Sequence, residues 1–212
     1  MILAQPPTEL QPGFAATLLV ILVTATFTEN ILLTRFLGMC PFLSISRQLK
    51  SAVGMGLAVV FVTTFTCYLN ALLYWHVLEP LNAYHIPADS LKLILFIVVI
   101  AAFVQLMEML IERLSISLYF ALGIFLPLIT VNCAILGACL FMINKDLHGL
   151  SALVYGFGAG LGWMIAIVLM AGIRQRLQRS KVPAALEGPG ITLIVAGIMA
   201  MAFVIFQGMI KL

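Results

Sequence analysis

Six long apolar stretches, near residues 14–37, 52–76, 91–111, 117–143, 150–173 and 190–210, alternate with short polar breaks along the chain. Each approaches or exceeds the roughly 20 residues an α-helix needs to cross the hydrocarbon core of a bilayer. The punctuation is Ser46-Arg47-Gln48-Leu49-Lys50, Glu79-Pro80 to Asp89, Glu112-Arg113, Asn144-Lys145-Asp146 and the longer segment from Arg174 to Pro189. The pattern predicts an all-α membrane protein with six transmembrane helices in one integral domain over residues 1–212. Composition agrees: 63% of the 212 residues are hydrophobic and 9% are charged. A water-soluble domain carries about 25% charged residues, so a soluble enzyme, a nucleic-acid binder and a disordered chain are excluded. The formal net charge of +3 is too small to suggest a polyanionic partner. Met1 to Phe14 holds no Lys or Arg, so it lacks the basic region of a cleaved signal peptide and the first apolar run is expected to stay.

Orientation follows from the side on which Lys and Arg collect, because cytoplasmic loops carry the excess. The loops after the first, third and fifth spans hold Arg47, Lys50, Arg113, Arg174, Arg176, Arg179 and Lys181; the opposite side holds Lys92, Lys145 and Lys211. Odd-numbered loops are therefore expected in the cytoplasm, with both termini periplasmic on a bacterial inner membrane.

The halves resemble each other at one common offset. Ser51-Ala52 and Gly56 recur as Ser151-Ala152 and Gly156, Leu93-Ile94 as Leu193-Ile194, and Ala102-Phe103-Val104 as Ala202-Phe203-Val204. Three spans per copy make the second copy enter from the other side. The expectation is an inverted 3+3 repeat, about 14–111 and 117–210, an architecture that places its site near the midplane.

The first helix of each half is expected to be broken. Gly38 and Pro41 flank Cys40 in the first span, where Pro removes a donor and disfavours helix before it, and Gly bends freely. In the fourth span Pro127 precedes Thr130, Asn132 and Cys133. Irregular backbone survives at membrane depth only where protein or a cavity covers it, so two matched breaks, each with a cysteine, suggest a paired site. Taken singly, a free cysteine is a small hydrophobe, and Cys67 and Cys139, with no such context, read as packing. Two thiolates cannot complete an iron–sulfur cluster, which usually takes four; if Cys40 and Cys133 ligate one, the other ligands come from a second subunit, one with the same fold in the opposite orientation.

Phe36-Leu37-Gly38-Met39-Cys40 and the run Ala121 to Ala134, with Thr130-Val131-Asn132-Cys133 at its core, resemble the two cysteine motifs of the integral subunits of the NQR and Rnf complexes. Val154 to Met164, Ala171-Gly172-Ile173-Arg174 and Gly190 to Ile194 are similar to the same family. Gly162-Trp163-Met164 and Leu106-Met107-Glu108-Met109 look like the NQR branch, and Pro41 after Cys40 like the Rnf branch. The resemblance implies a six-helix subunit paired with a homologous six-helix sister subunit, the one designated D in NQR or E in Rnf. It implies a 2Fe-2S cluster held by Cys40 and Cys133 together with two cysteines of the sister. It also implies redox neighbours: an NADH-oxidising Fe-S/flavin subunit on the cytoplasmic side, covalent-flavin subunits and a quinone-site subunit. Gly38, Met39, Thr130 and Asn132 are then expected to donate hydrogen bonds around the sulfurs.

An ionisable group inside a span is a functional candidate by default, and the resemblance implies a role in sodium uptake for Glu108. The plainer reading is that Glu108 reaches water near a helix end. Glu29 and Arg35 are expected to satisfy each other or meet the partner. Gly156, Gly158, Gly160 and Gly162 follow no strand, so they read as two interleaved faces for close helix packing rather than a nucleotide loop. His76, His85 and His148 sit at span ends or loops with no metal spacing. With no catalytic constellation, the chain is expected to work only within a larger oxidoreductase. A reading of another class is a secondary transporter, since inverted repeats with broken helices also build solute sites.

Overall fold

A side chain that satisfies the first free amides of a helix fixes where that helix begins, and in the first span this sets the break rather than the opening, since the opening helix starts after Gly13 with no side-chain cap. In the computed structural model, which describes residues 13–82, 88–114, 126–178 and 188–207, α1 (Phe14–Val23) runs on through a π-helical turn, Thr24–Thr28. It stops at Glu29-Asn30, because Asn30 leaves the helix to cap the next one: its Oδ1 accepts the amides of Leu32 and Leu33 at 3.1 and 3.2 Å. Asn is among the preferred N-caps. The capped helix α2 (Ile31–Arg35) is short. Phe36 and Gly38 then turn the chain at φ 54° and 79° into α3 (Met39–Ile45). Pro41 falls in the first turn of α3, where its missing N–H forfeits no helical bond. The first span is thus interrupted twice, at Glu29-Asn30 and at Phe36–Gly38, and Pro41 is not a breaker.

The chain continues as α4 (Leu49–Leu73), a second π-helical turn at Tyr74–Leu78, α5 (Glu79–Asn82) and α6 (Ala88–Leu114). The fourth span is described from α7 (Leu126–Thr130), which contains Pro127, and an interruption follows at Val131-Asn132. Then come α8 (Cys133–Asn144), α9 (Gly149–Leu177) and α10 (Pro189–Gln207). Among the described residues four stretches are long and apolar enough to cross a membrane, Leu49–Leu78, Leu91–Leu110, Pro127–Asn144 and Gly149–Leu177, while Phe14–Thr28 and Pro189–Ile205 are shorter apolar helices. The pattern predicts six full-length spans; the caps and left-handed residues divide the first. Residues 115–125, part of the expected fourth span, and His85 lie outside the described residues. Among the described residues there is no strand.

The centre of the fold is the contact between α4 and α9, the most extensive in the molecule. Glycines let the two backbones touch. A Cβ at Gly160 would lie 2.7 Å from Val60 Cα, one at Gly56 2.5 Å from Met164 Cγ, and one at Gly156 2.9 Å from the Thr63 carbonyl. The partners run in opposite directions, so the helices are antiparallel. Adding the repeat offset carries the Gly56–Met164 contact onto the region of Gly156 and Thr63, and carries Val60 against Gly160 onto itself. The other face of α9 takes the first span: a Cβ at Gly158 would meet Leu22 O at 3.0 Å, and one at Gly162 would meet Thr26 O at 2.7 Å. The two interleaved glycine faces expected from spacing therefore bind two different helices.

Polar contacts tie the described helix ends together on two opposite sides. Arg174, near the end of α9, donates from Nη1 to Leu43 O at 2.9 Å and to Ser46 Oγ at 2.7 Å, a cation satisfying a carbonyl at the end of α3. At the opposite end Trp75 donates to Leu147 O at 3.4 Å and its ring lies 3.8 Å from that of His148. The ends of α3 and α9 therefore share one side, and the Tyr74–Leu78 turn and the start of α9 share the other. On α6 and α10, Ile94, Val98, Ile198 and Ile205 are largely exposed, an outward apolar surface suited to lipid.

Candidate functional site

The expected site residues meet where the Gly38 turn presses on the start of α8. Asn132 caps that helix, its Oδ1 accepting the Ala134 amide at 3.0 Å. Cys133 is the first helical residue, and its sulfur accepts the Gly38 N–H at 2.9 Å. Gly38 is required twice over: its φ is left-handed, and a Cβ there would lie 2.6 Å from Trp163 Nε1, 2.9 Å from Ala134 Cβ and 3.0 Å from Asn132 Oδ1. Leu37 fills the space over Gly137 in α8, 2.6 Å from where a Cβ would stand. Trp163 and Asn132 are buried, and Trp163 Nε1 and Asn132 Nδ2 have no hydrogen-bond partner. Two buried donors thus lie beside a turn whose own amide is given to a thiol.

Of the residues singled out by sequence, Gly38, Asn132 and Cys133 are brought together here. Met39 and Cys40 follow Gly38 as the first residues of α3, and Thr130 closes α7. Cys40 and Cys133 are both exposed thiols. Asn30 and Trp163 were not expected at the site's foundations. Asn30 donates to Thr26 O at 3.1 Å and Gly162 O at 2.8 Å, which binds the first break to α9. The signal for it was available: Thr28-Glu29-Asn30 and Thr130-Val131-Asn132 each place Thr-x-Asn ahead of a capped helix.

One other expectation resolves differently. Glu29 and Arg35 do not pair: Glu29 Oε2 meets Lys145 Nζ at 2.9 Å, and the Arg35 guanidinium lies 4.7 Å from the Phe141 ring centroid. Glu108 is a partly exposed residue of α6. A cavity of about 330 Å³ opens beside Asn144–Leu147, Ile21 and Tyr155, at the end of α8 that carries Lys145.

The expected 2Fe-2S cluster is corrected. Among the described residues no group of three or more His, Cys, Asp or Glu side chains could hold a metal ion. The Cys133 thiol is engaged by a backbone amide. The other two cysteines, Cys67 and Cys139, are fully buried with their sulfurs 3.8 Å apart, beside Asn70 rather than beside Gly38. The expectation gave this chain two ligands, Cys40 and Cys133; neither belongs to a metal-holding group among the described residues.

The pattern of the Rnf-Nqr family, described as "Rnf-Nqr subunit, membrane protein", matches residues 18–210. Two of the most similar relatives belong to the Na(+)-translocating NADH-quinone reductase, each being the subunit designated E. The one from Nitrosomonas europaea is 49% identical over 191 residues, covering 88% of this chain and 95% of that one. The one from Psychromonas ingrahamii is again 49% identical, over 89% and 96%. The chain is equally 49% identical over 193 residues to the subunit designated A in the Na(+)-translocating ferredoxin:NAD(+) oxidoreductase complex of Acetobacterium woodii, covering 91% and 98%. With half its residues shared across nearly the whole length of these relatives, this protein belongs to the Rnf-Nqr family of membrane subunits.

Proposed function

We propose that this chain is a membrane subunit of a sodium-translocating oxidoreductase complex, standing where the member designated E stands in the NADH-quinone reductase. The observation that carries the reading is 49% identity to such a subunit over 88% of the chain. The Gly162-Trp163-Met164 and Leu106–Met109 stretches favour this branch. The corresponding Rnf subunit, designated A, is the second reading, favoured by the same 49% identity to the Acetobacterium woodii chain and by Pro41 after Cys40.

In this reading the chain crosses the bacterial inner membrane six times as an inverted repeat of 14–111 and 117–210. Support comes from the α4–α9 contact, which the repeat offset maps onto itself, and from the two Asn-capped breaks. Both termini are periplasmic, supported by the Lys and Arg excess on the side where Arg174 reaches Ser46. Cys40 and Cys133, set among Gly38, Met39, Thr130 and Asn132, face a homologous sister subunit; the support is two exposed cysteines at the starts of α3 and α8, beside the packed Gly38 turn. The NADH-oxidising, covalent-flavin and quinone-site subunits complete the assembly, and Glu108 contributes to the ion path.

The test is to purify the complex from bacterial membranes through an affinity tag on this chain and identify its companions by mass spectrometry. Reconstituted vesicles are then assayed for sodium uptake driven by NADH with quinone, or by ferredoxin with NAD. Uptake with NADH and quinone is expected. Uptake only with reduced ferredoxin and NAD(+) moves the chain to the Rnf reading, and uptake with neither donor–acceptor pair, in a preparation free of redox subunits, removes both. Cys133→Ser is expected to lower turnover while the assembled complex survives. Alkaline phosphatase fused to the C-terminus is expected to be active, and fused after Arg113 inactive.

A further inference from the structure

Away from the Gly38 turn lies a second pair of cysteines that the proposed function does not use. Cys67, on α4, and Cys139, on α8, are both fully buried, with Sγ atoms 3.8 Å apart. Asn70, one turn beyond Cys67, donates from Nδ2 to Cys139 Sγ at 3.2 Å. Its Oδ1 is buried with no partner, so the pocket around the sulfurs is only partly satisfied in the dithiol form. On the far side of Cys67, α9 closes in: a Cβ at Gly156 would lie 2.8 Å from Cys67 Cβ and 3.2 Å from its sulfur. The Cys67 sulfur therefore has neighbouring backbone behind it and the other thiol beside it.

We infer that Cys67 and Cys139 are an oxidation site, a buried dithiol that a small neutral peroxide converts to a disulfide linking α4 to α8. The step balances with hydrogen peroxide. One sulfur attacks the peroxide oxygen, giving a sulfenic acid and a water; the second thiol displaces the hydroxyl group as another water and the S–S bond forms. The two electrons come from the sulfurs and reduce the peroxide. Forming the bond shortens the separation of two sulfurs already in contact from 3.8 Å to about 2.0 Å. Moving a charged thiol reductant into this buried site costs far more than moving neutral hydrogen peroxide there. The link would pin α8, the helix whose first residue is Cys133, to the long helix α4.

The test uses membranes containing the full chain. They are treated with hydrogen peroxide, quenched with catalase, dissolved in SDS with N-ethylmaleimide and digested for peptide mass mapping. The expected product is one species joining the Cys67 and Cys139 peptides, lighter by two hydrogens than their sum and unalkylated. In Cys67→Ser, or in Cys139→Ala should the first fold poorly, the remaining cysteine is expected to be recovered alkylated. The inference is overturned if both buried cysteines stay alkylatable at a dose that oxidises Cys40 and Cys133. It is equally overturned if chain unfolded in SDS before oxidation forms the same joined peptide as readily.

Discussion

The Nδ2 amide of Asn30 donates to the carbonyl of Gly162 at 2.8 Å, joining the break in the first span to the middle of α9. The same side chain caps α2 through Leu32 and Leu33 and reaches Thr26 O. Lipid offers no water to replace these bonds. Asn30→Ala removes a cap, about 1 kcal/mol, and buried bonds to two carbonyls, together roughly another 1–2 kcal/mol. Asn132→Ala removes the cap bond to Ala134 alone, about 1 kcal/mol. Unfolding of the purified chain in detergent is expected to rank Asn30→Ala as clearly worse; equal losses would show that the tie to α9 contributes nothing.

Gly38→Ala introduces a Cβ where three atoms of Trp163, Ala134 and Asn132 already stand, at a left-handed φ of 79°. The conformation alone costs about 1–2 kcal/mol for a residue with a Cβ, and overpacking adds about 1–3 kcal/mol. The variant should lose stability and expose Cys133 to faster alkylation, because the turn that donates to its sulfur must move. Unchanged alkylation with full stability contradicts the geometry.

Two glycines of α9 separate close packing from helix propensity. Gly160→Ala drives a Cβ to 2.7 Å from Val60 Cα, whereas a Cβ at Gly172 meets nothing within 4 Å. The first is expected to lose about 1–3 kcal/mol. The second should gain up to about 1 kcal/mol, as Ala replaces Gly inside a helix. Thermal unfolding of both in the same detergent decides it, and a destabilised Gly172→Ala would mean the open face is covered by something else.

The four thiols should divide cleanly by reactivity. Cys40 and Cys133 are exposed, Cys67 and Cys139 buried. In the isolated chain a maleimide reagent is expected to modify the first two in minutes and the second two only after SDS. Rapid modification of Cys67 in the folded chain runs against the described packing.

The Lys145–Glu29 pair is 2.9 Å long but both side chains are partly exposed, at 24% and 34%. Such pairs contribute about 0–1 kcal/mol and are screened by salt. Lys145→Met is therefore expected to shift stability by less than Gly38→Ala at any ionic strength; a larger effect would give the pair a role beyond a surface contact.

Much of this protein was written in its order of residues. A chain with 9% charge cannot cover itself against water, so a membrane protein followed from composition. The glycines of α9 could be assigned to two faces because residues four apart share a side of a helix. The Cys40 and Cys133 motifs pointed to the family and to a junction that the fold does assemble around Gly38. Other features had no local signal. Pro41 reads as a break by residue type, yet it sits in the first turn of α3, where proline is tolerated; the interruptions fall at the left-handed Phe36–Gly38 turn and where Asn30 and Asn132 cap the following helices. The carbonyl that anchors Asn30 is 132 residues away, and the sulfur beside Cys67 is 72 residues away. Pairings across that distance depend on which helix faces meet, and apolar spans can be rotated against one another with little change in pattern. The same holds for the cluster expected from the cysteine motifs: spacing along a chain counts thiols, but only folded positions decide whether enough of them converge on one metal.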